Sequence, residues 1–288
     1  MDADLDTLCT VIYCTADDLL PEPRGNARRR LTDAEVVTLC VAQAIMGIPS
    51  DRRFLRAAQR QLGHLFPVLP TQSAYWRRRR RLAGAIEWLM GVFASQSPGY
   101  RDELLLVDST PVPCAQSRET AKRSALADAA GYGYCRSHSR WYWGLRCHLL
   151  AAPDGTPRAF TLADPARGER EVALELLERG ARGGEVLVCD KGYAGREFAA
   201  AAREHGVLVV RPARRDEPGR GPHLAPIRQR IESIFWTCKD LLTLERHGAR
   251  TFAGLRERVL ARFLCLAACI SLNHRLGRPS RALVAYCA

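Results

Sequence analysis

Asp108, Asp190 and Glu232 are the residues whose types and settings could do chemistry together. Asp108 closes the apolar run Leu104-Leu105-Leu106-Val107 and Asp190 closes Val186-Leu187-Val188-Cys189. Glu232 sits in Arg228-Gln229-Arg230-Ile231-Glu232-Ser233-Ile234-Phe235, which reads as helix. An ionised carboxylate at the end of a buried strand is costly unless something pairs with it. Hard oxygen donors of this kind suit Mg2+ or Mn2+. Taken singly, each acid has a duller reading: an Asp after an apolar strand is commonly a turn residue or helix cap, and Arg228 with Glu232 is an i,i+4 surface pair of little worth. Two strand-end aspartates and a helical glutamate in one basic chain form a joint pattern that the duller readings leave unexplained.

The elements that must position these acids follow from periodicity. Short apolar runs bounded by turn signals read as buried strands of a mostly parallel sheet. The spacing predicts strands over 103–109, 141–150, 157–162, 185–189 and 207–211, with helices over 169–179 and 195–205 and two long helices reaching about Arg275. Asp154-Gly155 marks a hairpin turn. The order implies an α/β fold, a mixed sheet with helices on its faces. The stretch that follows the first strand, as far as 140, reads as loop, and 212–223 as a second loop rich in Gly, Pro and Arg. The first loop carries Arg118, Lys122, Arg123, Arg136, His138 and Arg140 around Gly131-Tyr132-Gly133-Tyr134. A long loop in a compact domain is usually functional, so this one is expected to face substrate with basic and aromatic contacts.

Residues 1–97 read as a smaller all-α domain, and Ser97-Pro98-Gly99-Tyr100 as the boundary with a second domain over 98–288. Thr32-Asp33-Ala34-Glu35 is a capping box opening a helix through Met46. Gly47-Ile48-Pro49 ends that helix, and Ser50 caps the next, Asp51 to Gln61. Helix, short Gly-containing turn and helix is the helix-turn-helix layout, which any helical hairpin also shares. A later helix carries Arg77, Arg78, Arg79, Arg80 and Arg81 after Tyr75 and Trp76. This run reads as a phosphate-contacting, DNA-binding stripe, with a plain solvated face as the other reading.

The bulk of the chain agrees with a polyanionic partner. Its 288 residues carry a net charge of +12 with an ordinary 47% hydrophobic content. Nucleic acid is the default partner, with an anionic membrane surface competing. No apolar stretch spans a bilayer and Met1-Asp2-Ala3-Asp4 is not a secretory start, so a cytoplasmic location is expected. Eleven cysteines, an odd number, without a C-x-x-C argue against a disulfide framework. Cys265 and Cys269 read as core residues, and His138 and His148 do not form a ligand pair. Only three of the 43 basic residues are Lys. Two of them, Lys191 and Lys239, lie close in sequence to Asp190 and Glu232, where a compact ammonium could be wanted.

These stretches together resemble a bacterial insertion-sequence DDE transposase, in the broad group with the IS4 and IS5 families and closest to the IS982 family. The resemblance is carried by Val107-Asp108-Ser109-Thr110-Pro111-Val112-Pro113, Tyr132-Gly133-Tyr134-Cys135, Trp143-Gly144-Leu145-Arg146-Cys147-His148-Leu149-Leu150, Asp190-Lys191-Gly192-Tyr193 and the Glu232 segment. Leu31 to Val37 and Tyr75 to Arg81 extend it towards the N-terminus. It implies a ribonuclease H-like fold and a metal-dependent enzyme that binds the terminal inverted repeats of its element, cleaves the ends and joins them to target DNA. Asp108, Asp190 and Glu232 would be the catalytic Mg2+ ligands, with Mn2+ able to substitute and Asp108 bridging two ions. The group's signature places Tyr, Arg, Glu and Lys at fixed spacings. Here Arg228, Glu232 and Lys239 match, while the Tyr position is Ala225. Residues four and seven apart share a helix face, so Arg228 and Lys239 would flank Glu232, with Lys239 part of the catalytic set and Lys191 and Arg228 on DNA phosphate. The resemblance further implies double-stranded DNA as partner, at least a homodimer when active, and a nucleoid-associated location. A ribonuclease H-like nuclease without strand transfer, and an inactive DNA-binding regulator derived from a transposase, are the alternatives.

Overall fold

The apolar triplets Leu104-Leu105-Leu106 and Val186-Leu187-Val188 pair in parallel at the heart of a six-stranded mixed sheet. The computed structural model describes residues 4–21, 30–135, 139–214, 217 and 223–287. Arg136 and His138, and most of the 212–223 loop, lie outside the described residues. The chain divides into two units, 97–237 with 250–252, and 1–96 with 238–249 and 253–288.

The first of these units holds β1 (Leu104–Ala115), α6 (Arg118–Lys122), β2 (Gly131–Cys135), β3 (Arg140–Ala151), β4 (Pro157–Ala163), α7 (Glu169–Gly180), β5 (Val186–Val188), α8 (Arg196–Glu204), β6 (Leu208–Val210) and most of α9 (Ala225–Asp240). Strand order is β2-β3-β1-β5-β6, with β4 paired to β3. β1, β2, β3 and β4 pair antiparallel, whereas β5 and β6 run parallel to β1. Parallel strands need a crossover, and α7 and α8 supply it. Their apolar faces (Ala173, Leu176, Leu177, Phe198, Ala202) close one buried core with Leu105, Val107, Leu150 and Leu187.

Two expectations need correcting here. β1 does not stop at 109 but runs to Ala115 through Pro111 and Pro113. Beyond Leu106 its β5 side has no ladder, while β3 accompanies it to Ala115. Prolines two apart sit on the same edge, where a missing N–H breaks nothing. The long loop, in turn, contains α6 and the edge strand β2, registered Gly131↔Gly144 to Cys135↔Arg140 on β3.

The other unit is helical: α1 (Leu5–Leu19), α2 (Asp33–Ile45), α3 (Asp51–Gln61), α4 (Gln72–Arg81), α5 (Ala83–Ser95) and nearly all of α10 (Phe252–Arg275). The Thr32–Glu35 capping box forms and Ser50 caps α3. Between them Gly47 takes φ +62°, open to glycine at little cost. Gln43 fixes this turn, donating to Ile48 O and Asp51 Oδ1, both at 3.0 Å. α10 is buried almost throughout and pairs with this unit through Arg256–Glu87, Arg258–Asp51 and Glu257–Arg79. Among the described residues, no helix is long and apolar enough to cross a membrane.

Candidate active site

The last parallel pair between β1 and β5 is Leu106↔Val188. Asp108 and Asp190 each lie two residues beyond it, so the sheet register sets both carboxylates at one level where the strands part. That is the crevice outside the carboxyl end of a parallel strand, where open α/β sheets bind ligands. Asp108 is partly buried and stays in β1, backed by β3 opposite Leu149, so it lies within the strand rather than at its end. Asp190 leaves β5 into a short 3-10 turn and caps it, accepting from the Lys191 N–H at 2.6 Å.

Two further charges converge on the crevice. Arg228 on α9 stands 3.3 Å from Asp190 Oδ1. Glu169, the first residue of α7, accepts from Ser109 Oγ at 3.2 Å and from Arg146 Nη1. Its other oxygen faces Gly192, where a Cβ would approach it to 3.7 Å. Glu169 therefore stands between the residue after Asp108 and the turn after Asp190. Burial pushes the Asp108 carboxyl up to about 6, against the Ser109 N–H that stabilises its charge. The carboxylates of Glu169, Asp190 and Glu232 push in the same direction as burial. Glu232 lies on α9 one turn after Arg228 and is exposed.

An all-oxygen set in which each carboxylate raises the cost of the next charge has the donor chemistry for a hard divalent cation. Its geometry is open: no three His, Cys, Asp or Glu side chains among the described residues are gathered within reach of one ion.

The remaining candidates disperse. Lys191 is exposed beside Asp190. Lys239 follows Glu232 on α9 and pairs with Glu245 at 2.9 Å. The five arginines of α4 split. Arg77, Arg80 and Arg81 face solvent, with Arg80 over the half-exposed Trp76 ring. Arg78 is tied to Leu31 O, Thr32 O and Asp33. Arg79 is 2% exposed, bonded to Gln43 and Asp51 and paired with Glu257. The solvent-facing stripe is thus narrower than five consecutive residues imply. His148 is buried and neutral, its imidazole pushed down to about 3 by burial.

Residues 99–268, more than half of the chain, match the transposase DDE domain family. The chain belongs to that family. No curated protein and no solved structure matches it. Membership makes this a transposase-type nuclease with DNA as its class of partner and divalent metal as the family's usual requirement. The matched DDE domain contains Asp108, Asp190, Arg228, Glu232 and Lys239, whereas the arginines of α4 precede it. Glu169 also lies inside it, and sequence reasoning missed that residue. An acid in the first turn of a helix looks like ordinary complement to the helix dipole. Only its two donors, Ser109 and Arg146, show where it points.

Proposed function

We propose that this protein is an insertion-sequence transposase of the IS4/IS5-like group, nearest the IS982 family, with a ribonuclease H-like catalytic fold in the sheet-bearing unit that begins at Ser97 and DNA binding by the helical unit that holds residues 1–96. It binds the inverted repeats that end its element, cuts the DNA there and joins the 3′-hydroxyls to target DNA. The observation that carries this reading is the shared level of Asp108 and Asp190 past the last parallel pair, inside a matched DDE domain.

Asp108, Asp190 and Glu232 would hold the divalent ions, Mg2+ with Mn2+ as substitute. When bound, such ions supply Lewis-acid stabilisation of the attacking and leaving oxygens in an in-line displacement. The chain's own residues do the rest. Arg228 and Lys191 flank Asp190 and would take the phosphates beside the scissile bond, with Lys239 further along the helix that carries Glu232. Arg228 exchanges Asp190 for a phosphate when DNA arrives. Ser109 and Arg146 hold Glu169 against the crevice, keeping negative charge high until cation and substrate enter. Arg77, Arg80 and Arg81 would track the duplex backbone and account for a salt-dependent share of affinity. Two ends must be joined, so the working form is at least a homodimer, acting in the cytoplasm on the nucleoid.

The test is cleavage and joining of labelled duplex bearing the element's own ends, in Mg2+, Mn2+ or EDTA, by wild type and Glu232→Gln. Metal-dependent nicks and joined products, both lost in the variant, are expected. Nicks without joined products would leave a nuclease. Binding without cleavage in every condition would leave a DNA-binding regulator.

A further inference from the structure

The alternation Gly131-Tyr132-Gly133-Tyr134 on β2 sorts by face. On one face a Cβ at Gly131 would meet the Asp164 carboxylate at 2.7 Å, and one at Gly133 would meet the Tyr142 ring at 2.6 Å and Pro165 at 2.7 Å. That face is closely packed, at Gly133 by a ring and a proline and at Gly131 by the end of one acidic side chain. Successive side chains of a strand alternate, so the tyrosines take the other face, opposite Trp143 and Trp141 of β3. There Tyr132 is 55%, Tyr134 41% and Trp141 71% exposed. The Tyr134 and Trp141 rings touch, with centroids 5.4 Å apart.

Three large aromatic side chains are thus held in a fixed array on an edge hairpin, facing solvent, which marks an interaction site. Charge indicates the occupant. Residues 131–145 contain Arg136 and Arg140 and not one Asp or Glu, in a chain of net charge +12. Aromatic faces accept any base by stacking, and arginines accept the backbone. A duplex hides its base faces, whereas an unpaired strand offers them.

We propose that the outer face of the β2–β3 hairpin, formed by Tyr132, Tyr134 and Trp141, is a stacking platform for unpaired DNA bases. The protein then holds a single-stranded flank beside the duplex on which it acts. This rests on the transposase reading in one respect: cutting at the ends is what exposes such a flank.

Full-length wild type, Trp141→Ala, Trp141→Phe and Tyr134→Ala are titrated with a labelled oligothymidylate and with a duplex of equal length at one salt concentration, following anisotropy and tryptophan fluorescence. Oligothymidylate affinity should fall about tenfold in Trp141→Ala, less in Trp141→Phe, with duplex affinity unchanged. Quenching of the wild-type tryptophan signal by the single strand should shrink in Trp141→Ala. Wild-type oligothymidylate affinity in Trp141→Ala overturns the proposal, as does an equal loss on duplex. Unchanged affinity with a change in oligomeric state by light scattering overturns it in favour of contact between copies. End cleavage by the wild type is scored separately. Its absence alongside lost single-strand binding in Trp141→Ala would sink the transposase reading and leave the platform standing.

Discussion

The guanidinium of Arg228 lies 3.3 Å from a carboxylate oxygen of Asp190 and reaches it from the helical turn before Glu232. A cation of the chain therefore already occupies one of the proposed ligands. The pair is part-exposed, 30% and 44% for the two side chains, so on stability alone it is worth at most about 1 kcal/mol.

Arg228→Ala should therefore melt close to wild type yet bind end-bearing duplex more weakly. The slope of log affinity against log salt should become shallower by about one. A large drop in melting temperature with an unchanged salt slope would make Arg228 a structural residue instead.

Asp108 carries a charge that its surroundings oppose through burial and three neighbouring carboxylates. In EDTA, Asp108→Asn should melt a few degrees above wild type, because the substitution removes that charge. Saturating Mg2+ should reverse the order, since an ion at a hundred times its dissociation constant adds about 2.7 kcal/mol to the protein that binds it. Calorimetric melts of both proteins with and without Mg2+ decide this. Identical Mg2+ shifts in the two would exclude Asp108 as a ligand.

Arg79 and Arg80 are adjacent in sequence and opposite in role. Arg79→Ala leaves Asp51 to Arg258 alone and Glu257 buried without its ion pair, a loss of about 3 kcal/mol. Arg80→Ala should leave stability within about 0.5 kcal/mol while weakening duplex binding. Urea denaturation and a DNA titration on each variant should show this crossed pattern, and matching behaviour of the two would refute it.

Glu257 sets a pH dependence. Burial pushes its carboxyl up from 4.5 to about 7, with Arg79, Arg258 and Arg262 acting against the rise and Asp51 adding to it. The folded protein therefore keeps a proton that the unfolded chain has released. The stability this confers is fully present below pH 4.5 and lost as pH rises through about 7. The loss is on the order of 3 kcal/mol. Asp51 acts oppositely, below the ordinary range of an aspartate. Glu257→Gln should flatten the fall in unfolding free energy between those pH values, and a wild-type slope in that variant would refute the assignment.

Apolar runs ending in turn signals made β3 to β6, α7 and α8 legible from sequence to within a residue or two. β2 was not legible, because Gly-Tyr-Gly-Tyr lacks the apolar alternation of a half-buried strand and glycine is scarce in strands. The extension of β1 was masked by Pro111 and Pro113, which are tolerated only because of which edge lacks a ladder. Within the site, sequence could name Asp108 and Asp190 but not Glu169, whose place depends on contacts from two other elements. In α4 a faint signal existed: Tyr75 and Arg79 are four apart, one helix face, and both are buried. A run of five identical residues hides which of them turns inward.

The glycines of β2 have an effect on assembly as well as on packing. A slip of β2 by one residue along β3 would drive Tyr132 or Tyr134 into the space that Asp164, Tyr142 and Pro165 already fill. The missing side chains therefore work as a gauge, admitting one alignment of the hairpin and rejecting its neighbours. β3 is also the strand that backs β1 along Asp108, so the same gauge keeps an edge strand from pairing out of register beside the strand that carries the first carboxylate.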